Sequence, residues 1–211
     1  MPAEGKIRFS GGGLHMSERI LCIGDSNTWG YDPRSYFGSQ YPADVRWTGL
    51  LEQAGLQVIN CGENGMTIPR EAYFPVMERL IRSKAPADVM TVMLGSNDLL
   101  EGAGAEETAE RMRRFLYFLQ ETASEVCILL LAPPVLKKGT WVPSEELIGE
   151  SAKLAALYRD LAAETGAGFA DAESWGVELT FDGVHFSPAG HRAFAEGLKR
   201  TIKDLEKKRD A

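Results

Sequence analysis

The stretch Ile20-Leu21-Cys22-Ile23-Gly24-Asp25-Ser26-Asn27 sets a short polar motif directly behind four apolar residues. A continuous apolar run of this kind is typical of a strand that is buried on both faces of a parallel sheet. Parallel α/β sheets hold their active sites just beyond the carboxyl ends of their strands. The stretch therefore predicts that Ser26 lies at the active edge of such a sheet.

Strand-like runs and helical patterns alternate along the rest of the chain. The strand-like runs lie at 20–23, 58–61, 89–94, 126–131 and 168–170. Helical spacing of apolar residues lies between them at 47–54, 71–82, 106–122 and 144–164, and Ser187-Pro188 begins a last helix. Alternating elements with short connections predict an α/β fold, a three-layer α/β/α sandwich around a five-stranded parallel sheet.

A single domain is expected at 17–207, after a flexible leader at 1–16. The leader carries Gly11-Gly12-Gly13, and it has no hydrophobic segment that would serve as a secretory signal. Met16 offers an alternative start. The domain itself has no internal repeat and no low-complexity linker.

The composition excludes several classes of protein. With 211 residues, 44% of them hydrophobic, and a net charge of −7, the chain suits one globular domain whose surface repels nucleic acid. No apolar stretch is long enough to span a bilayer. Cys22, Cys61 and Cys127 each belong to a strand-like run, where a thiol packs as a small hydrophobe. This predicts a reducing, cytoplasmic location, and a homo-oligomer is compatible with the composition.

The motif Asp182-Gly183-Val184-His185 supplies partners for Ser26. A serine hydroxyl becomes a good nucleophile when a neighbouring base removes its proton. His185 is the expected base, because His15 lies in the leader and His191 lies in the last helix, where a structural hydrogen bond is expected. Asp182 stands three residues before His185, a spacing that lets a loop bring the carboxylate to the imidazole Nδ1–H. Ser26, Asp182 and His185 are therefore predicted to be catalytic.

Two further motifs follow strands and offer hydrogen-bond donors. Gly65 ends the turn Gly62-Glu63-Asn64-Gly65, where a residue without Cβ brings a bare backbone N–H close to substrate. Asn97, in Gly95-Ser96-Asn97-Asp98, offers a side-chain amide. Taken singly, the first motif is better explained as an ordinary turn and the second as a helix cap. Together with Ser26 they predict an oxyanion hole, which must present several aligned N–H groups.

These motifs resemble the four sequence blocks of the SGNH hydrolases, also called the GDSL lipase/esterase family. The blocks match at Gly24-Asp25-Ser26, at Gly65, at Gly95-Ser96-Asn97-Asp98 and at Asp182-Gly183-Val184-His185. The resemblance implies a flavodoxin-like fold, a triad of Ser26, Asp182 and His185, and an oxyanion hole formed by the N–H groups of Ser26 and Gly65 and the side chain of Asn97. Asn27 stands where the eponymous pattern has Leu. The stretches 24–31 and 44–49 further resemble the bacterial arylesterases/acyltransferases of this family.

Aromatic residues close to the first block are candidates to bind the substrate. Trp29, Tyr31 and Trp47 are assigned this role, and the connection 31–46, which contains Tyr36, Phe37 and Tyr41, is expected to wall the pocket. A narrow pocket favours acyl groups from acetyl to butyryl. The expected partner is thus a small-molecule ester.

The sequence leaves more than one function open. The leading hypothesis is a serine esterase for small acyl or aryl esters that forms an acyl-enzyme and needs no metal or cofactor. A thioesterase or a lysophospholipase would use the same site, and a silent binding domain would retain the fold alone. The presence of all four blocks disfavours the silent domain. The absence of a Gly-x-Ser-x-Gly motif disfavours the α/β-hydrolase fold.

Overall fold

Five parallel strands form one sheet in the order β2-β1-β3-β4-β5. In this computed structural model, which describes residues 19–35 and 37–209, the expected leader at 1–16 lies outside the described residues. The strands are β1 (Arg19–Gly24), β2 (Gln57–Gly62), β3 (Val89–Met93), β4 (Cys127–Ala132) and β5 (Gly168–Asp171). Every strand-like run of the sequence forms a strand, and the predicted five-stranded parallel sheet is confirmed.

Seven α-helices occur in the described part of the chain. They are α1 (Ser26–Trp29), α2 (Trp47–Gln53), α3 (Phe74–Lys84), α4 (Ser96–Leu100), α5 (Ala105–Thr122), α6 (Glu145–Thr165) and α7 (Pro188–Arg209). Short 3-10 helices lie at Glu71–Tyr73 and Ala172–Trp175. The Ser144 hydroxyl accepts a hydrogen bond from the Leu147 N–H at the start of α6, because the first turn of a helix leaves its N–H groups unpaired. None of the described helices is long and apolar enough to cross a membrane.

The sheet is covered on both faces, as a three-layer sandwich requires. Leu21 and Ile23 of β1 pack on one face with buried residues of α3, α5 and α6. Ile20 and Cys22 point to the opposite face, where α2 and α7 contribute to a second cluster. Because successive strand residues alternate between faces, a strand that is covered on both faces has an apolar run with no polar interruption.

The strand order places the candidate site. The chain leaves β1 toward β2 on one side and later returns to β3 on the other, so the order reverses between β1 and β3. A crevice forms outside the carboxyl ends of the strands at such a reversal. Helix α1 starts directly after β1, and α4 starts shortly after β3. The first and third sequence blocks therefore lie side by side at this crevice.

Candidate active site

A chain of hydrogen bonds joins Asp182, His185 and Ser26. The Asp182 Oδ2 atom lies 2.7 Å from His185 Nδ1, and His185 Nε2 lies 2.9 Å from Ser26 Oγ. The three residues are 1%, 2% and 6% exposed, so bulk water does not compete strongly for these bonds. With the proton on Nδ1, the ring donates to the carboxylate and accepts from the serine hydroxyl. This arrangement can remove the proton of a serine that attacks a carbonyl carbon.

The Asp182 carboxylate is held in its ionised form. Burial alone would raise its pKa, but hydrogen bonds from the His185 ring and from the backbone N–H groups of His185 and Val184 lower the pKa to about 2. The second carboxylate oxygen, Oδ1, accepts these two backbone bonds and a third from the Thr180 hydroxyl at 2.8 Å. The carboxylate therefore stays charged while its other oxygen orients His185.

Gly183 explains how the Asp182 to His185 turn fits against the loop that follows β4. Its φ angle is +84°, and a Cβ atom there would lie 1.9 Å from the Lys137 carbonyl oxygen. The Lys137 N–H in turn donates to the Gly183 carbonyl at 3.0 Å. Glycine is thus required both for the left-handed backbone and for the close approach of two chains.

The residues of the predicted oxyanion hole lie on three adjacent strand ends. Ser26 begins α1, Gly65 lies in the exposed turn after β2, and Asn97 lies in the first turn of α4. The Glu63 N–H donates to the Gly24 carbonyl at 3.0 Å, which ties the β2 turn to the end of β1. Gly65 has a φ angle of +74° and open space where a Cβ would stand, so its backbone is accessible.

Block three is tied to the Gly65 loop by two side chains. Asn97 Nδ2 donates to the Met66 carbonyl at 3.0 Å, and the Ile68 N–H donates to the Asp98 carboxylate at 3.0 Å. Asp98 is fully buried and forms an ion pair with Arg111 at 2.8 Å. Burial raises the pKa of Asp98, and the Ile68 and Arg111 bonds counter that effect. The sequence showed Asp98 only as part of its block; the structure shows that it fixes the loop next to Asn97.

The aromatic residues chosen from the sequence lie in different places. The Tyr31 ring lies 4.6 Å from the His185 ring, and the half-buried Trp29 lies 6.5 Å from Tyr31. Trp47 does not reach the site surface: it is 1% exposed, it packs on Phe194 of α7, and its indole N–H donates to the Asn27 carbonyl. The structure places Trp47 in the core because α2 turns its apolar face toward the sheet and α7.

The expected wall at 31–46 is formed only in part. Tyr41 is 2% exposed and packs against His191, whereas Phe37 is 90% exposed. Tyr36 lies outside the described residues. Only Tyr31 of this connection is placed against the ring of His185 in the described contacts.

Trp141 is a site residue that sequence reasoning missed. Its ring meets His185 edge-on at 5.1 Å, it is 52% exposed, and its backbone N–H donates to the Asp182 carbonyl at 3.1 Å. The sequence signal was a tryptophan in a Gly- and Pro-containing connection directly after β4. Trp141 and Tyr31 thus both flank the imidazole.

No group of three or more His, Cys, Asp or Glu residues in the described part of the chain is arranged to hold a metal ion. The polar groups at this edge of the sheet include those of Ser26, Asn97, Asp182 and His185. A parallel α/β sheet that carries a linked serine, histidine and aspartate at its carboxyl edge is an arrangement typical of serine hydrolases.

The comparisons then identify the family. The chain belongs to the GDSL-like lipase/acylhydrolase family, whose sequence profile matches residues 22–193. This confirms the resemblance seen in the four sequence blocks, and it makes the protein an ester-hydrolysing enzyme. Among curated proteins, none matches the chain.

Solved structures give the same result. The aryl esterase of M. smegmatis is 28% identical with a TM-score of 0.75, and the match covers 90% of this chain and 100% of that one. A carbohydrate acetylesterase family member from Sinorhizobium meliloti is 29% identical with a TM-score of 0.76, over 89% of this chain and 98% of that one. The chain is therefore similar to esterases along nearly their whole length.

Proposed function

We propose that this protein is a serine esterase that hydrolyses small acyl esters through a covalent acyl-enzyme. Ser26 is the nucleophile, His185 the general base and then the general acid, and Asp182 the residue that orients His185 and stabilises its protonated form. The observation that carries the proposal is the continuous chain of short contacts, 2.7 Å from Asp182 to His185 and 2.9 Å from His185 to Ser26.

The reaction proceeds in two halves. Ser26 Oγ attacks the ester carbonyl while His185 Nε2 takes the hydroxyl proton, and the same proton is delivered to the departing alcohol oxygen. Water then attacks the acyl-serine, again with His185 as base, and releases the acid and the serine. Each half passes through a tetrahedral intermediate with a negative oxygen.

Three donors are proposed to meet that oxygen. The Ser26 N–H is in the first turn of α1, where no intrahelical acceptor is available. The Gly65 N–H and the Asn97 side-chain amide come from the neighbouring strand ends. The loss of one such donor typically costs about 3 kcal/mol of transition-state stabilisation.

The alcohol part of the substrate is proposed to be an aryl group or a sugar. Trp141 is half exposed beside His185, and an exposed indole ring stacks well on flat apolar faces. The similar proteins of known structure include both an aryl esterase and a carbohydrate acetylesterase. The acyl part is proposed to be small, from acetyl to butyryl, because the Tyr31 ring lies close to His185.

The experiment is the hydrolysis of p-nitrophenyl acetate by the wild-type protein and by Ser26→Ala. We expect kcat to fall by about 10⁴-fold or more, because only binding and the oxyanion donors are left. Ser83→Ala removes an exposed hydroxyl on α3 and serves as the matched control with unchanged activity. Half of the wild-type rate in the Ser26→Ala protein would overturn the assignment of the nucleophile.

A thioesterase and a lysophospholipase are the alternatives that use the same groups. Acyl-CoA thioesters and lysophospholipids, measured beside the p-nitrophenyl esters, distinguish them. A kcat/KM for either substrate well above that for every small ester would replace the small-ester proposal while keeping the triad.

A further inference from the structure

Asn27 bridges the nucleophile helix and the histidine loop. It is the second residue of α1, next to Ser26, and only 4% of it is exposed. Its Nδ2 donates to the Val184 carbonyl at 3.1 Å, and its Oδ1 accepts from the Phe186 N–H at 2.9 Å. Val184 and Phe186 are the two neighbours of His185. One side chain therefore holds the backbone on both sides of the histidine.

The orientation of the Asn27 amide is fixed by its partners. A carbonyl can only accept and a backbone N–H can only donate, so the amide nitrogen must face Val184 and the oxygen must face Phe186. Neither bond can be made by leucine, the residue of the eponymous pattern. Asn27 thus makes two hydrogen bonds that a leucine at this position cannot make.

The backbone of Asn27 is itself anchored on both sides. Its N–H donates to Asp25 Oδ1 at 2.9 Å, and its carbonyl accepts from the Trp47 indole N–H at 2.8 Å. Trp47 is buried in the core, so the anchor is rigid. The Asn27 side chain therefore forms a hydrogen-bonded link between the core and the loop that carries His185.

We propose that Asn27 is a positioning residue that sets the distance between Ser26 Oγ and His185 Nε2. The proposal rests on the proposed function of these two residues. Asn27 is directly bonded to Ser26 along the chain. The Val184 carbonyl and the Phe186 N–H, which Asn27 binds, belong to the two residues directly bonded to His185. If the Asn27 hydrogen bonds are lost, the 2.9 Å distance between His185 Nε2 and Ser26 Oγ is expected to change. Displacement of catalytic groups by about 1 Å can cost about 100-fold in rate.

The first test is Asn27→Leu, which keeps the branching and the number of side-chain heavy atoms, is somewhat larger, and removes both hydrogen bonds. We expect kcat for p-nitrophenyl acetate to fall by about 10- to 100-fold with little change in KM, since substrate contacts are retained. Thr28→Val is the matched control: Thr28 is the next residue of α1 and is 1% exposed, but its hydroxyl has no hydrogen-bond partner among the described residues. It should retain wild-type kinetics. Wild-type kcat in folded Asn27→Leu would overturn the proposal.

The second test uses Asn27→Asp and separates the positioning role from the effect of an added charge. The ionised carboxylate cannot donate to Val184, but the protonated carboxyl group reproduces both bonds of the amide. We therefore expect the ratio of variant to wild-type kcat/KM to rise as the pH falls. A charge effect alone would have the opposite sign, because an added negative charge favours protonated His185 and depresses the variant more in acid. A ratio of variant to wild-type kcat/KM that falls or stays constant as the pH falls would contradict the positioning role of Asn27.

A third measurement does not depend on turnover. We expect the proton between His185 Nδ1 and Asp182, which lie 2.7 Å apart, to give a low-field NMR signal that is lost in His185→Ala. We expect this signal to shift or broaden in Asn27→Leu and to stay unchanged in Thr28→Val. An unchanged signal in Asn27→Leu would overturn the positioning role of Asn27. The proposed function fails if the wild-type protein does not hydrolyse esters, or if the Ser26→Ala variant keeps its activity. In either case this NMR signal still decides whether Asn27 orders the loop that carries His185.

Discussion

The backbone N–H of Trp47 donates a hydrogen bond to Nδ1 of His191 at 3.3 Å. Both residues are buried, at 1% and 0% exposure, and the His191 ring packs edge-on against the rings of Tyr41 and Phe186. Burial, with a smaller contribution from the nearby His185, lowers the pKa of His191 to about 3. His191 is therefore a neutral structural histidine that fixes the start of α2 against α7.

Removal of His185 is expected to affect catalysis, and removal of His191 is expected to affect stability. His185→Ala should abolish hydrolysis of p-nitrophenyl acetate while the protein stays folded. His191→Ala should lower the free energy of unfolding by about 2–5 kcal/mol, as large-to-small changes in a core do, and should keep most of kcat. Chemical denaturation and kinetics on the same samples check this. Equal losses of kcat in two well-folded variants would contradict the division of roles.

His191 also gives the protein a defined acid sensitivity. Its folded pKa of about 3 lies below the ordinary value of 6.5, so the unfolded chain binds a proton that the folded chain rejects. Stability from this group is complete above about pH 6.5 and is lost as the pH falls toward 3. In His191→Phe, which cannot protonate, we expect unfolding free energy to depend less steeply on pH across this window. The same slope in both proteins would argue against a buried neutral ring.

Asp25 is expected to make the protein less stable as the pH rises, which is the opposite of the effect of His191. Burial raises its pKa from 3.8 to about 6, although the Asn27 N–H and His185 partly oppose this. A raised carboxyl pKa means that ionisation is costly in the fold, so stability is lost as the pH rises from about 4 to 6. The cost is on the order of 3 kcal/mol above this window. Asp25→Asn keeps an acceptor for the Asn27 N–H and removes the charge.

The measurement for Asp25 is urea denaturation at pH 4, 5, 6 and 7. We expect the unfolding free energy of Asp25→Asn to gain on that of the wild type as the pH rises through this range. The difference between the two proteins cancels the contributions of His191 and Asp182, which both proteins share. A difference that does not vary with pH would show that Asp25 ionises in the fold without penalty.

The sequence predicted the strands and helices, and which motifs meet at the sheet edge, better than it predicted the aromatic residues around them. Apolar runs such as 20–23 and 126–131 were recognisable as strands because a sheet that is covered on both faces buries every residue of such a run. The residues after those strands meet because parallel strands end at one edge. Ser26, Asp182 and His185 come together for this topological reason, which motif spacing can reveal.

Aromatic residues could not be assigned in the same way. Trp47 and Tyr41 follow the first block closely, but tertiary packing of α2 and of His191 draws them into the core. Trp141 is distant in sequence from both motifs and reaches His185 because the loop after β4 pairs with Gly183 and Asp182. Side-chain placement of this kind depends on long-range contacts that periodicity does not encode.

Trp141 is expected to contribute binding of the alcohol part of the substrate. Trp141→Ala should raise KM for aryl acetates, with a smaller change in kcat, because a stacking surface holds substrate and transition state alike. Tyr117→Ala is the matched control: it removes a ring that is 45% exposed on α5, compared with 52% for Trp141. Steady-state kinetics with p-nitrophenyl acetate and an acetylated xylose compares both variants. A KM unchanged from wild type in Trp141→Ala would exclude this contact.

Tyr31 is expected to limit the length of the acyl chain. Its backbone N–H donates to the Ser26 carbonyl at 3.0 Å, and its backbone pairs with Gln40 in an isolated bridge. These contacts hold the ring close to His185, with 4.6 Å between ring centroids. Each methylene that fits the pocket gains about 0.8 kcal/mol of burial, whereas one that meets a fixed ring costs packing strain. The kcat/KM should therefore peak between acetyl and butyryl esters and then fall.

Tyr31→Ala should move that peak to longer chains, while Tyr31→Phe, which keeps the ring, should leave it in place. The measurement is kcat/KM for p-nitrophenyl acetate, butyrate, hexanoate, octanoate and dodecanoate, each below its critical micelle concentration. The ratio of hexanoate to butyrate is the sensitive quantity, because it compares chains on either side of the expected limit. A peak at the same length in Tyr31→Ala and the wild type would show that another surface sets the limit. A steady rise to dodecanoate in the wild type would indicate an open groove and favour the lysophospholipase alternative, because a fixed ring beside His185 leaves no room for such a chain.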